Sequence, residues 1–359
     1  MIFFDGTKTA TARHSSGIVR MNTRLLAEMG SAVKPCAWKE AARMAGPGDW
    51  FLTGELFSEV ERPGFRAFVE GRRFRMAAIY YDAIPMKHPG ITWPQSVARH
   101  PDYLKILSRL DRIWAISEAS RDELLGYWRW LGADPVPPVD VLRLGADFGP
   151  ERTRRGQVVH CTPGRGGNNV QPDPFSDPVL LCVGILEPRK NQGFLLDVCE
   201  SLWAEGLRFC LDLAGRVNPV FGGSLAARVK EAARRWPQLR YRGPVGDGEL
   251  GHLYASATAS VHPTIAEGCG LPLLESLWMG APAVCSDLPV LLENASGGGC
   301  LPTAAGNLEA WKSSLRRLLS DDPLRARLER EAGSRPLPVW ADAARAILSV
   351  LQGGKGSGC

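Results

Sequence analysis

The chain has 359 residues, 45% of them hydrophobic and 23% charged, which is the composition of a globular protein with ample material for a core. Its 39 Gly and 27 Pro follow no repeat period, which excludes a collagen-like chain, and no apolar run reaches the ~18–20 residues that cross a bilayer. A net charge of +5, from 43 basic and 38 acidic residues, is too small at this length to point to nucleic acid. Asp5 interrupts the first apolar stretch and no basic segment precedes it, so a signal peptide is not expected. Nine Cys, an odd number with no C-x-x-C pair, indicate neither a disulfide framework nor a zinc site. A reduced, cytoplasmic compartment is the expectation.

In chain order, the first strand is expected over 2–4, a polar loop over 6–16, and a helix over 18–29 with Ile18, Met21, Leu25 and Met29 on one face. Further strands are expected over 32–36, 50–53, 77–81, 112–116 and 139–142, with helices between them. Between Arg62 and Arg75 five Arg interleave with Phe65, Phe68 and Phe74 against the single Glu70. Such a mixture reads either as a peripheral docking face for an anionic membrane or acidic substrate, or as a solvated helix face with inward Phe. The turn-rich stretch Thr162-Pro163-Gly164-Arg165-Gly166-Gly167-Asn168-Asn169, followed by Pro172, Pro174 and Pro178, reads as a linker. The alternation then restarts, with strands over 179–183, 208–214, 239–241, 257–262, 283–285 and 299–302. Helices are expected over 192–204, 224–235, 247–255, 272–279, 308–319, 323–332 and 339–351, and residues 353–359 form a tail. This gives an α/β chain of two Rossmann-like domains (1–160 and 179–338) facing across a cleft, a linker over 161–178, and a final helix over 339–352.

The segment Pro263 to Glu275 concentrates the chemistry. It leaves an apolar strand through a turn containing Gly268, Cys269 and Gly270, then enters a helix at Leu271-Pro272. The unpaired N–H groups of such a helix start, with the positive end of its dipole, seat an anion. Glu267 and Glu275 flank that seat. As like charges they cannot hold a phosphate, but carboxylates accept hydrogen bonds from vicinal hydroxyls, such as those of a sugar and a ribose. On the opposite side, Arg189-Lys190 follows a strand through Gly184, where a fork and a point charge can stabilise a departing diphosphate without a metal. No Asp-x-Asp metal motif occurs, and G-x-G-x-x-G is missing after the first strand, which disfavours a dehydrogenase.

Glu267-x7-Glu275 resembles the E-x7-E signature of retaining GT-B glycosyltransferases of the family-4 type. The resemblance extends to Val183-Gly184 through Arg189-Lys190-Asn191, to Tyr241-Arg-Gly243-Pro-Val245 with Leu250 and Tyr254, and to Gly280 through Asp287 with 288–293. Weaker markers are Ser16-Gly17-Ile18, Tyr81-Asp82-Ala-Ile-Pro85, Ile116-Ser117-Glu118 and Trp340…Ala344. The resemblance implies that Glu267 binds the donor sugar, Glu275 the ribose, and Arg189 and Lys190 the diphosphate, helped by backbone N–H groups over 268–271. Gly17 approaches the phosphate from the first domain, and the base lies near Arg216 and Val245. Where many relatives carry a His, this chain reads Tyr80-Tyr81-Asp82, so Asp82 becomes the candidate near the acceptor hydroxyl, with a turn role as its alternative. His14 and His88 read as ordinary surface residues and His262 as a core-edge one. The resemblance leans toward the mannosyltransferase-like branch. It implies transfer of a hexose, mannose from GDP-mannose first, to a glycan or lipid-linked saccharide in bacterial surface polysaccharide synthesis, with no metal and no cofactor beyond the nucleotide sugar. A same-fold epimerase and a non-catalytic sugar-nucleotide-binding subunit remain the alternatives.

Overall fold

The structure, a computed structural model, describes residues 1–11, 17–147 and 177–353. The chain divides into two compact units. One comprises Met1–Gly145 and the segment beginning at Pro338, the other Ala146–Leu337. The linker assigned to 161–178 lies outside the described residues except for its last two, as do His14, Ser16 and the tail beyond Gly353.

In the first unit six parallel strands stand in the order β2-β1-β3-β4-β5-β6. They are β1 (Ile2–Asp5), β2 (Lys34–Cys36), β3 (Trp50–Thr53), β4 (Arg75–Tyr80), β5 (Arg112–Ala115) and β6 (Val139–Val141). The central strands β1 and β3 are buried along their whole length because helices cover both faces of the sheet. Phe51, Phe65, Tyr80, Leu104 and Trp128 build the core on one side, and each such side chain contributes about 1.5–3 kcal/mol on burial. Helix Glu118–Leu131 starts where Ser117 Oγ accepts the Ser120 N–H and ends at Gly132. The last helix, Trp340–Gly353, packs against helix Gly17–Met29. Gly145 permits that return, since a Cβ there would stand 2.2 Å from the Trp340 backbone nitrogen.

In the second unit the order is β12-β11-β10-β7-β8-β9, again all parallel. These strands are β7 (Val179–Val183), β8 (Cys210–Ala214), β9 (Leu239–Gly243), β10 (Ala259–His262), β11 (Ala283–Ser286) and β12 (Cys300–Thr303). Strand order reverses between β7 and β10, and in open α/β sheets a ligand binds outside the carboxyl ends at that point.

Two expectations change here. Segment 288–293, read only as part of a motif, caps and opens the helix Pro289–Ala295. The Arg62–Arg75 stretch, read either as a basic and aromatic docking face or as a solvated helix face with inward Phe, does turn its Phe inward, but its Arg do not form one solvated face. Arg62 is buried, with Nη1 2.7 Å from Asp5 Oδ2 and Nη2 on Glu55. Phe65 and Phe74 are core residues. Arg66 pairs with Asp102, Arg72 with Asp111, and the Arg75 guanidinium lies 4.3 Å from the Trp50 ring centroid. No described helix is long and apolar enough to cross a membrane.

Candidate functional site

The loops after β7 and β10 meet at the strand-order reversal. After β7 the chain turns through the short helix Pro188–Lys190, and Asn191, in the left-handed region (φ 55°), starts helix Gln192–Ala204. The Arg189 carbonyl accepts the Ile265 N–H (3.0 Å) and the Thr264 hydroxyl (2.9 Å), fastening the two loops together. After β10, Gly270 (φ 77°) is the N-cap of helix Leu271–Trp278. A Cβ at this position would stand 2.7 Å from Leu291 Cδ2 and 3.0 Å from Asn294 Nδ2, so only glycine fits. Asn294 Nδ2 donates to the Cys269 carbonyl (2.6 Å), which fixes the turn in front of the helix.

Glu267 gathers both cations. Its Oε2 accepts from Lys190 Nζ (2.6 Å) and from Arg189 Nη1 (3.3 Å). Burial raises the Glu267 carboxyl, but Lys190 and Arg189 outweigh it and bring it to about 2. The carboxylate is therefore ionised at any ordinary pH. Glu187 holds the other side of Arg189, with Oε1 accepting from Nη2 (2.8 Å) and Nε (3.1 Å). Its Oε2 accepts from Asn218 Nδ2 (2.9 Å), and Asn218 Oδ1 takes the N–H groups of Val220 and Phe221.

A small cavity lies against this cluster, lined among others by Cys182, Lys190, His262, Glu267, Gly270 and Leu291. His262 ends β10, and its Nε2 lies 2.8 Å from Ser260 Oγ. Burial, and then Lys190, push the imidazole down to about 3, so it stays neutral. Glu275 is buried on the second turn of helix Leu271–Trp278, where Tyr254 Oη reaches its Oε2 at 3.2 Å and the Pro272 carbonyl at 3.1 Å.

The structure thus brings Arg189, Lys190 and Glu267 into direct contact. Gly268, Cys269 and Gly270 follow Glu267 as the turn that leads into the helix at Leu271. Arg216 and Val245 stand in the loops after β8 and β9, on the same sheet edge as the other second-unit residues. Gly17 opens helix Gly17–Met29 in the first unit. Asp82 follows β4 there, and its Oδ1 accepts the Ile84 N–H (3.0 Å), a turn role. His100, which the sequence does not single out, lies 3.1 Å from the Asp82 carbonyl. Sequence reasoning missed Glu187 and Asn218 as members of the cluster, while His262, read as a core-edge residue, is buried beside it. Among the described residues, no three His, Cys, Asp or Glu side chains converge as a metal ion needs.

Residues 169–335 match the family model described as glycosyl transferases group 1. The O-antigen chain mannosyltransferase B of Escherichia coli is 34% identical over 146 residues, which is 40% of this chain and 38% of that protein. The serotype-specific mannosyltransferase WbdA of Escherichia coli is 26% identical over 231 residues, 60% of this chain and 26% of that protein. The chain thus spans well under half the length of these curated relatives. Among solved structures, Anabaena HepE in complex with UDP and glucose superimposes with a TM-score of 0.69 at 12% identity, over 98% of this chain and 99% of that one. The chain has the GT-B fold, and its second unit matches the glycosyl transferases group 1 family model over residues 169–335.

Proposed function

We propose that the chain is a retaining glycosyltransferase that moves a hexose from a nucleoside-diphosphate sugar to a glycan or lipid-linked saccharide. The observation that carries this reading is the Glu267 carboxylate, held ionised between two cations beside a cavity at the start of helix Leu271–Trp278. An ionised carboxylate accepts hydrogen bonds from sugar hydroxyls. The helix start and Lys190 provide positive potential for the diphosphate, whose charge grows as the glycosidic bond breaks. Glu275, deeper on the same helix, is the group for the ribose, and the base lies toward Arg216 and Val245. In the first unit, Gly17 serves the phosphate and Asp82 the acceptor hydroxyl. The departing phosphate takes the acceptor's proton, so no protein nucleophile is required.

Mannose from GDP-mannose is the first donor to test, supported by the mannosyltransferase relatives and the Asp82-Ala-Ile-Pro85 loop. The same likeness supports a place in bacterial surface polysaccharide synthesis. The experiment is a thermal-shift panel of nucleoside-diphosphate sugars, since a ligand that binds only the folded state raises its stability by mass action. The donor so found is then given with candidate acceptors. Nucleotide release that depends on the acceptor supports transfer, while release of free sugar at the same rate without acceptor overturns it.

A further inference from the structure

We propose that Arg189 is a positioning residue, held by Glu187 and Asn218, that sets Glu267 for the sugar, and that Lys190 alone of the basic pair meets the diphosphate. This rests on reading the cavity as a nucleotide-sugar site. Two neighbouring cations would share one anion if both faced it. Here both reach Glu267 Oε2, but the other groups each one touches differ. Lys190 lines the cavity, whereas Arg189 is not among its described lining residues. The Arg189 fork is engaged by protein acceptors: Nε and Nη2 on Glu187, Nη1 on the Ala266 carbonyl (3.0 Å) and on Glu267. Lys190 has three N–H donors, and Glu267 takes one of them.

The bonds form one chain across three loops. Asn218, in the loop after β8, holds Glu187, Glu187 holds the guanidinium from the β7 loop, and the guanidinium holds both the backbone and the carboxylate of the β10 loop. A planar guanidinium held on several sides fixes direction as well as charge, which an ammonium does not. Glu267 is thereby aimed before any sugar arrives, and binding need not order it.

The test is titration of the purified full chain with GDP, UDP, GDP-mannose and UDP-glucose. Lys190→Ala is expected to weaken a bare diphosphate and its sugar alike, by about tenfold or more. Arg189→Ala and Glu187→Gln are expected to leave the bare diphosphate within about twofold while weakening the nucleotide sugar by about tenfold. Adding Asn218→Asp to Glu187→Gln is expected to restore sugar binding, because the new amide donates to the new carboxylate and its oxygen still faces the guanidinium. Equal losses of bare diphosphate in Arg189→Ala and Lys190→Ala overturn the division of roles. If the wild type binds none of the four probes, the nucleotide-sugar reading fails by itself, and amide exchange still decides the positioning claim. Segment 263–268 is expected to exchange about tenfold faster in Arg189→Ala and Glu187→Gln but not in Lys190→Ala, and equal exchange in all of them overturns it.

Discussion

The Lys190 ammonium lies 2.6 Å from Glu267 Oε2, joining the loops that follow two neighbouring parallel strands. Because the carboxyl falls from its ordinary 4.5 to about 2 in the folded chain, it adds stability that is fully present above pH 4.5 and is lost as pH falls toward 2. The contribution is on the order of 3 kcal/mol. Urea unfolding between about pH 5.5 and about pH 2.5 should therefore show a shallower acid loss in Glu267→Gln than in the wild type. Parallel curves would contradict this account.

Gly270→Ala should lower the stability of the second unit by about 2 kcal/mol or more, from the left-handed backbone and the contact with Leu291 together. Made in a Leu291→Ala background and compared with Leu291→Ala alone, the same substitution should cost less, by the steric part. Thermal melts of the two variants measure the difference.

Arg62→Leu should destabilise the first unit by about 3–5 kcal/mol, since it leaves Asp5 and Glu55 as buried charges without their guanidinium. Arg73→Gln, at an exposed position in the same basic run, should change stability by less than about 0.5 kcal/mol. Chemical denaturation separates the two, and similar losses would return Arg62 to the surface.

Transfer should survive a chelator in excess, because Lys190 and the helix start supply the positive charge that a metal provides elsewhere. Acceptor-dependent nucleotide release with and without EDTA is the measurement, and an absolute requirement for a divalent ion would refute the metal-free scheme.

Much of the fold was legible because parallel strands covered on both faces leave unbroken apolar runs, as at Trp50–Thr53 and Val179–Val183. The apolar signal of strand β9 stops at residue 241, two residues before the strand does, because an edge strand needs little apolar character, and Tyr241 and Arg242 are exposed. The glycine turn and the basic pair were legible because their chemistry is local to a few residues. Partnerships between distant residues were not. Arg62 reads as a surface charge until folding brings Asp5 and Glu55 to it, 57 and 7 residues away. Glu187 likewise reads as motif filler until Asn218, 31 residues on, closes against it.

The return of helix Trp340–Gly353 onto helix Gly17–Met29 has a consequence for biogenesis. The first unit is built from residues 1–145 and the segment that starts at Pro338, so helix Gly17–Met29 lacks this packing partner until the ribosome has passed codon 353. Synthesis order and folding order therefore differ: the earlier-made unit is completed last, and a message cut short before that codon yields a product with an open apolar seam.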